Sequence, residues 1–221
     1  MMVYAVATQS LNRKYGFVEL ELIRGDGDLK KVELQDPNQD DGKYMHHEHG
    51  RHWDSGRALK VNYIPKQLRR RSGRNIPDFN KFNGLFVVSD KFKSIVERLE
   101  PGVHQFIPLQ IVEKGGEVLT DMWFMVVCNR LDTVDRERTT MVLHLGRCWT
   151  QSRDVPEDYW PEGFVSRGRD EKIVFNRSQI GDHHLWRDKH EATMTLVSDA
   201  LAEALQNEGV TGINFFELES V

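Results

Sequence analysis

The chain has 221 residues, of which 39% are hydrophobic and 29% are charged, and its net charge is −4. This length can bury a sizeable core in one large or two small domains, and the composition is typical of globular proteins. The mild negative charge gives no sign of a nucleic-acid-binding protein, and no run approaches the ~20 apolar residues of a membrane span. Because the apolar N-terminus lacks the basic leader of a signal peptide, we expect a cytoplasmic protein.

The first part of the chain predicts a small N-terminal sheet. Residues 3–7 alternate as an opening strand does, and residues 17–23 and 29–34 predict two further strands. The last two are separated by the glycine and aspartate turn residues at 25–28.

The next part is predicted to be mostly irregular. Residues 35–57 show no apolar periodicity, so we expect a long polar loop, followed by a short strand over 59–64. Residues 66–74 carry five basic side chains and predict an exposed connection. We therefore predict an N-terminal β-rich subdomain with a polar loop over 1–75, followed by an α+β domain over 76–221.

One cassette occurs twice, and each copy reads as a capped helix, a glycine stop and a strand. In the first copy Ser89 or Asp90 begins the helix, Gly102 ends it and a strand follows over 106–112. In the second copy the corresponding positions are Ser198 or Asp199, Gly209 and residues 213–218. Apolar side chains at helical spacing predict one buried face per helix: Phe92, Ile95, Val96 and Leu99 in the first, and Leu201, Ala204 and Leu205 in the second.

The region between the cassettes predicts further strands. A hairpin turn at 113–117 leads into the apolar run 118–128, and short strands are expected over 139–145 and 173–175. Residues 150–170 predict a loop, and residues 183–188 a short helix or turn. Cys128 and Cys148 lie in apolar runs, so we expect buried, reduced thiols.

These elements together indicate the α+β class. We expect a mixed or antiparallel sheet with a few helices packed on it, and a small N-terminal β subdomain is left open. Two dissimilar copies of a cassette are too few for a solenoid.

A histidine cluster is the first candidate for chemistry. His46, His47, His49 and His52 lie within seven residues, with Glu48 among them. Zinc binds such side chains, but the metalloprotease pattern needs a second histidine four residues after the first, and Arg51 stands four residues after His47. We favour a solvated polar loop, and a metal-dependent enzyme that uses this cluster remains the alternative. A second pair, His183 and His184, is expected to pack or cap near Trp186 and Arg187.

Other catalytic patterns are missing from the sequence. It has no nucleophile elbow, phosphate loop or dinucleotide fingerprint, so we expect no catalytic residues, no metal and no cofactor. The run Arg69-Arg70-Arg71 could touch phosphates, which leaves a nucleic-acid-binding module as a further alternative. Without interleaved aromatic residues we favour a solvated linker there and expect no nucleic acid.

The cassettes resemble one known family. The resemblance rests on residues 84–93 (GLFVVSDKFK), 99–108 (LEPGVHQFIP), 197–201 (VSDAL) and 209–215 (GVTGINF), and it covers roughly residues 80–220. These blocks are similar to the bacterial immunity proteins of polymorphic toxin systems, in the eleventh numbered immunity family, formerly a domain of unknown function. The resemblance implies a protein without enzymatic activity that binds and neutralises a cognate secreted toxin of a type VI or contact-dependent system.

The resemblance does not fix the toxin-binding surface. An acidic loop can engage a basic partner, so we expect the contact in the acidic region and the adjoining histidine-rich segment. The predicted toxin-binding residues are Asp26, Asp28, Asp36, Asp40, Asp41, His46, His47, Glu48 and His49. We also expect a contribution from the loop at 150–170 and no membrane partner, and a homodimer is left open.

Overall fold

The computed structural model of the chain describes residues 2–9, 17–37, 52–191 and 193–221. In chain order, the strands over these residues are β1 (Val3–Thr8), β2 (Glu19–Leu22), β3 (Gln67–Ser72), β4 (Phe79–Phe82), β5 (Leu85–Val88), β6 (Gln105–Val112), β7 (Val118–Val126), β8 (Arg130–Leu131), β9 (Val142–His144), β10 (Cys148–Thr150), β11 (Leu185–Asp188), β12 (Leu196–Ser198) and β13 (Ile213–Leu218). The α-helices are α1 (Asp90–Leu99), α2 (Arg177–Ile180) and α3 (Asp199–Asn207). Single 3₁₀ turns lie at Leu29–Lys31, His52–Asp54, Ser152–Asp154, Glu157–Tyr159 and Gly168–Asp170. The described part of the chain is mostly sheet with few helices, in agreement with the predicted α+β class.

Two mixed sheets carry most of the strands. The six-stranded sheet has the order β2-β3-β6-β7-β5-β4, and the five-stranded sheet has the order β13-β1-β12-β11-β8. One parallel pair occurs in each, β3 with β6 and β11 with β8, and the other pairs are antiparallel. The hairpin β9–β10 forms a separate two-stranded ribbon.

The two cassettes fold into the same supersecondary unit. Strand β5, helix α1 and strand β6 form a βαβ unit with β7 inserted between its two strands. Strand β12, helix α3 and strand β13 repeat the arrangement with β1 as the inserted strand. Ser89 Oγ accepts the N–H of Phe92 at 3.2 Å, and Ser198 Oγ accepts the N–H of Leu201 at 3.3 Å, which confirms both predicted caps. Each unit is therefore a split βαβ motif.

Asp78 links the two units to each other. One carboxylate oxygen accepts the Ser89 hydroxyl at 2.8 Å, and the other accepts both the N–H and the hydroxyl of Thr211, at 2.9 and 2.8 Å. Burial alone would raise the pKa of Asp78, but these hydrogen bonds and Lys91 lower it below its usual value. The charged form of Asp78 thus holds the start of α1 against the segment that follows α3.

The core between the units explains the apolar faces of the helices. Phe92, Ile95 and Val96 of α1 and Leu201 and Leu205 of α3 are buried in one cluster with side chains from both sheets. A second cluster lies on the opposite face of the six-stranded sheet, and a third contains Trp186 and Phe175. Sequence periodicity predicted these faces because each helix has only one stripe that can be buried.

The predicted separate N-terminal sheet is not found among the described residues. Strand β1 pairs with β12 and β13 of the second cassette, and β2 pairs with β3 in the six-stranded sheet. The alternation of 3–7 predicts a strand but carries no information about its partner. Strands from both sides of residue 75 thus share each sheet, and the division into domains at that position stays a prediction.

Several local predictions before residue 75 are wrong. Residues 29–31 form a 3₁₀ turn, not a strand, because the Asp28 carboxylate accepts the Lys30 N–H at 3.2 Å and caps it. Residues 59–64 form no strand beyond a single bridge of Leu59 with Leu34. Residues 67–72, expected as an exposed connection, form strand β3, in which Leu68 is fully buried.

After residue 100, one prediction is confirmed and another is wrong. The hairpin turn at 113–117 and the strand that follows it are confirmed by the β6–β7 pairing. Residues 185–188 form strand β11 in place of the expected helix or turn, with all four side chains buried. The sequence does not indicate this strand, because charged residues such as Arg187 and Asp188 are usually exposed. In the structure Asp54 pairs with Arg187 at 2.7 Å, and Thr133 donates to Asp188.

Candidate functional site

The structure describes three of the predicted toxin-binding residues. The Asp26 carboxylate accepts the N–H of Lys66 at 3.0 Å and that of Gln67 at 2.6 Å, so it holds the start of β3. Asp28 caps the turn at Leu29–Lys31 and pairs with Lys31 at 3.4 Å, and Asp36 is exposed. The other predicted residues lie outside the described residues: Asp40, Asp41, His46, His47, Glu48 and His49.

An open groove of about 940 Å³ lies beside Asp26. One wall comes from the segment between Leu59 and β3, and the floor and opposite wall come from β6 and β7. The lining residues are Asp26, Val61, Ile64, Pro65, Lys66, Gln67, Gln105, Phe106, Ile107, Pro108, Leu109, Gln110, Asp121, Met122 and Trp123. The groove therefore connects one predicted site residue with residues of the six-stranded sheet.

The groove exists because β3 pairs only with the C-terminal part of β6. Their pairing begins at Gln67 and Gln110, where the Gln110 N–H donates to the Lys66 carbonyl at 2.9 Å. At the other end, the Gln105 side chain bonds both the N–H and the carbonyl of Leu59, at 3.0 and 2.9 Å. Between these two points β6 has no strand partner on its outer edge among the described residues. Pro108 stands in this stretch, as suits an edge strand, because proline has no N–H to leave unpaired.

Helix width explains why the floor of the groove is uncovered. Helix α1 crosses from β5 to β6 over β7, and a helix about 10 Å wide covers roughly two strands spaced about 4.8 Å apart. The sheet face at β6 is therefore left partly open, and Phe106 and Trp123 on this face are half-buried. Pro108, which pairs with Trp123 in the register, is exposed.

Aromatic rings and charges meet at the rim of the groove. The Lys93 ammonium of α1 lies 3.5 Å from the centroid of the Trp123 ring and 5.8 Å from that of Phe106, which is cation–π geometry. Gln110 donates to the exposed Asp121 carboxylate at 3.1 Å. An apolar floor with charged ends suits the binding of a protein segment, because aromatic side chains in partly enclosed pockets dominate many interfaces.

A buried polar network near the C-terminus of α1 has the composition of a catalytic site but serves the fold. The Glu100 carboxylate accepts from His104 Nε2, Asn129 Nδ2 and the Leu185 N–H, each at 2.9 Å. The Cys128 N–H donates to His104 Nδ1 at 3.2 Å, so the His104 proton must sit on Nε2, facing Glu100. Burial alone would raise the pKa of Glu100, but the hydrogen bonds from His104 and the backbone lower it. Both carboxylate oxygens of Glu100 and both ring nitrogens of His104 thus have hydrogen-bond partners within the protein.

The burial of Cys128 opposes a role as a nucleophile. Burial raises the pKa of Cys128 to about 11, so this thiol is protonated at neutral pH and is a poor nucleophile. Both cysteines are free, as predicted, but each is half-buried rather than fully buried.

The pair His183 and His184 and two arginines of the run at 69–71 also have partners within the fold. His184 Nδ1 lies 2.8 Å from the Ser198 hydroxyl, and His183 Nδ1 lies 3.4 Å from the Glu100 carboxylate. Arg69 pairs with Glu21 at 3.5 Å, and Arg70 pairs with Glu113, which neutralises two cations of the arginine run. Within residues 2–9, 17–37, 52–191 and 193–221, no group of three or more histidine, cysteine or acidic side chains is placed to hold a metal ion.

Comparison with known protein families assigns the chain. Residues 33–220 match the family model described as "Immunity protein family (Imm11)". This chain belongs to the Imm11 immunity protein family. Comparison with curated protein sequences finds no match. The matched region includes the lining residues from Val61 to Trp123, whereas Asp26 and Asp28 precede it. Immunity proteins of this family are generally without enzymatic activity, and no helix in the described part of this Imm11 chain is long and apolar enough to cross a membrane.

Sequence reasoning missed the groove residues Phe106 and Trp123 and the contact of Lys93 with their rings. A partial signal existed, because the alternation in β7 places Trp123 on the face opposite Met122 and Phe124. The sequence does not reveal that α1 leaves this part of the face uncovered, since that depends on how the helix crosses the sheet.

Proposed function

We propose that this Imm11 protein binds and neutralises a cognate secreted toxin, of a type VI or contact-dependent system, in the cytoplasm of the producing bacterium. The observation that carries the proposal is the family match over residues 33–220. The internally hydrogen-bonded Glu100 network and the protonated Cys128 thiol support a binding role without catalysis.

We propose the groove and the adjoining acidic region as the toxin contact. Asp26 and Asp121 place negative charge beside the apolar floor, and the net charge of −4 favours a partner with a basic surface. A standard interface hides about 800 Å² on each partner, so the contact must extend beyond the groove. The predicted residues Asp28, Asp36, Asp40, Asp41, His46, His47, Glu48 and His49 are the proposed extension.

A protein that protects by binding alone acts stoichiometrically. Protection should therefore reach its maximum when the immunity protein equals the toxin in molar amount, whereas an enzyme would protect far below equality. The family resemblance implies that the gene lies beside that of its toxin. We therefore expect this behaviour when the chain is titrated against the purified product of the neighbouring gene in a toxicity assay. A neighbouring gene product that is not toxic, or is toxic and unaffected by this chain, would refute the proposal.

Two variants test the groove within that complex. Trp123→Ala removes the ring under Lys93, and we expect it to weaken toxin binding at least tenfold, as truncation of an aromatic anchor does. Phe216→Ala is the matched control, because Phe216 is a 54% exposed aromatic residue on β13, outside the groove. Calorimetry on the purified pair measures both affinities. Equal losses in the two variants would rule out a specific role of the groove.

The two alternative functions have their own signatures. Stoichiometric zinc in the purified protein, with activity lost when His46, His47, His49 and His52 are replaced by alanine, would favour the metal-dependent enzyme. Affinity for DNA that falls steeply with salt would favour the nucleic-acid-binding module. We expect neither in the isolated chain.

A further inference from the structure

A surface segment after the hairpin β9–β10 forms few contacts with the rest of the protein. We name residues 152–167 the strap. Its backbone hydrogen bonds close single turns, and among the described residues each of them has both donor and acceptor within residues 151–170. No strap residue belongs to a core cluster of the described residues. The strap is therefore packed mainly against itself, as an Ω loop is.

Internal contacts give the strap its shape. The Trp160 indole N–H donates to the Val155 carbonyl at 3.0 Å, and the Trp160 ring meets that of Phe164 edge to face, with 5.3 Å between the centroids. Val155 is the only buried apolar side chain within the strap. Because so exposed a segment loses little apolar burial when it detaches, a small number of contacts with the scaffold decide whether it stays in place.

One carboxylate holds both ends of the strap. Glu171 Oε2 accepts the Ser152 N–H at 2.7 Å, and Glu171 Oε1 accepts the Ser152 hydroxyl. At the other end, the same Oε1 accepts the Ser166 hydroxyl at 3.0 Å and the Arg167 N–H at 3.3 Å. The hydroxyls of Ser152 and Ser166 lie 2.6 Å apart. The two ends of the strap thus meet at this carboxylate.

Glu171 is fixed to the rest of the fold. The carbonyl of the next residue, Lys172, accepts the Thr140 N–H at 3.0 Å, and the Lys172 N–H donates to the Thr140 hydroxyl at 2.9 Å. Burial alone would raise the pKa of Glu171, but the hydrogen bonds from the strap lower it below its usual value. The charged carboxylate is therefore a fixed acceptor to which a loosely packed segment attaches.

A ring contact joins the strap to the ribbon formed by β9 and β10. The Tyr159 ring meets that of His144 on β9 edge to face, with 5.3 Å between the centroids. Tyr159 is 51% exposed, so this contact buries less surface than a core aromatic residue does. Release of the strap would uncover the His144 ring, whereas the pairing of β9 with β10 does not involve the strap.

We propose that the strap is a conformational device that detaches and unfolds as one unit, with the Glu171 carboxylate as its latch, while the two sheets stay folded. The latch joins both ends, so its loss frees them together. The open state gives access to the His144 side of the ribbon. The inference is independent of the proposed function, because it concerns the isolated chain.

Hydrogen exchange in the isolated chain tests the latch. Glu171→Gln keeps the size of the side chain but places an NH₂ donor against donors of the strap. The amides of Asp154, Tyr159 and Phe164 each close a separate turn. We expect all three to exchange at least about tenfold faster in this variant, by similar factors, because the opening is shared. Glu162→Gln makes the same change on an exposed carboxylate of the strap and should leave exchange unchanged.

The wild-type chain provides a measurement that no substitution can disturb. Its strap amides should exchange at least about a hundredfold faster than the buried amides of β7, because the strap opens while the sheets stay folded. Arg153 lies within the strap, and trypsin cleaves after it only where the surrounding backbone is unfolded. The cleavage rate should therefore rise in Glu171→Gln by the same factor as the exchange rates.

Three results would overturn the inference. Strap amides that exchange as slowly as those of β7 would show that the strap opens only when the whole chain unfolds. Faster exchange in Glu171→Gln that is confined to the residues beside the latch would indicate fraying in place of a shared opening. Equal increases in Glu171→Gln and Glu162→Gln would show that the Glu171 carboxylate is not the latch.

Discussion

Replacement of Glu100 by alanine tests the claim that the buried network serves the fold. The carboxylate accepts three hydrogen bonds at 2.9 Å, and Asn129 Nδ2 keeps a second acceptor in the Leu185 carbonyl. The variant therefore leaves two buried donors without a partner, the His104 Nε2–H and the Leu185 N–H. At about 1–3 kcal/mol for each, we expect a loss of about 2–6 kcal/mol in the free energy of unfolding.

Urea denaturation followed by circular dichroism measures this loss. Glu203→Ala on the exposed face of α3 is the matched control, and we expect it to change stability by less than about 0.5 kcal/mol. At a urea concentration where the variant is still folded, its affinity for the toxin should equal that of the wild type, because Glu100 is 5% exposed. A Glu100→Ala protein as stable as the wild type would refute the structural role, and a folded variant that no longer protects would indicate a functional one.

Two further predictions concern pH and backbone geometry. Hydrogen bonds lower the pKa values of Glu100 and Asp78 in the folded state, so their stabilisation is fully present above the unfolded value of about 4 and is lost as the pH falls through the folded values. Acid unfolding of the wild type should therefore steepen below about pH 4, and Glu100→Gln should flatten that part of the curve; an unchanged slope would contradict the assignment. Gly212→Ala places a methyl group against the Phe79 carbonyl and 2.6 Å from Pro77 Cβ at a φ of +87°, so we expect a loss of more than about 2 kcal/mol, whereas Gly116→Ala, with open space around it, should cost less in the same urea titration.

The sequence predicts local structure well where neighbouring residues alone determine it. The sequence places each helix start at one of two residues, Ser89 or Asp90 and Ser198 or Asp199, and the structure shows the serine as the cap in both. A hydroxyl at that position satisfies N–H groups that the helix leaves free. The apolar stripe of α1 and the hairpin after β6 follow from equally local rules. Both capping serines lie within the blocks that carry the family resemblance.

Prediction failed where the partner lies far away in the chain. In the sequence, strand β3 resembles a basic linker. Its residues Arg69 and Arg70 pair with Glu21 and Glu113, and these partners cannot be recognised because they lie far away in the chain. Strand β11 looks like a polar turn for the same reason, since Asp54 compensates the buried Arg187. A buried charge cannot be told from an exposed one until its partner is known.

The candidate site was predictable only in part. Asp26 was chosen for its charge, and the structure places it at the groove, but its carboxylate mainly holds Lys66 and Gln67. The aromatic floor was not foreseen, because Phe106 and Trp123 read as ordinary core residues of two apolar strands.

The buried faces of the cassettes belong to the core of the fold, and surfaces that a partner can reach lie outside these faces. In each split βαβ unit the helix packs inward, and Asp78 ties the two units together, so the best-specified residues are those that a partner cannot reach. Helix α1 covers only part of its sheet, which leaves the groove at β6, and the hairpin β9–β10 lies outside both main sheets. The exposed lining residues Val61, Pro108 and Asp121 of the groove belong to none of the core clusters, so substitutions there leave the core packing in place. Under the proposed function, substitutions of these exposed groove residues would change the toxin specificity while the scaffold stays constant.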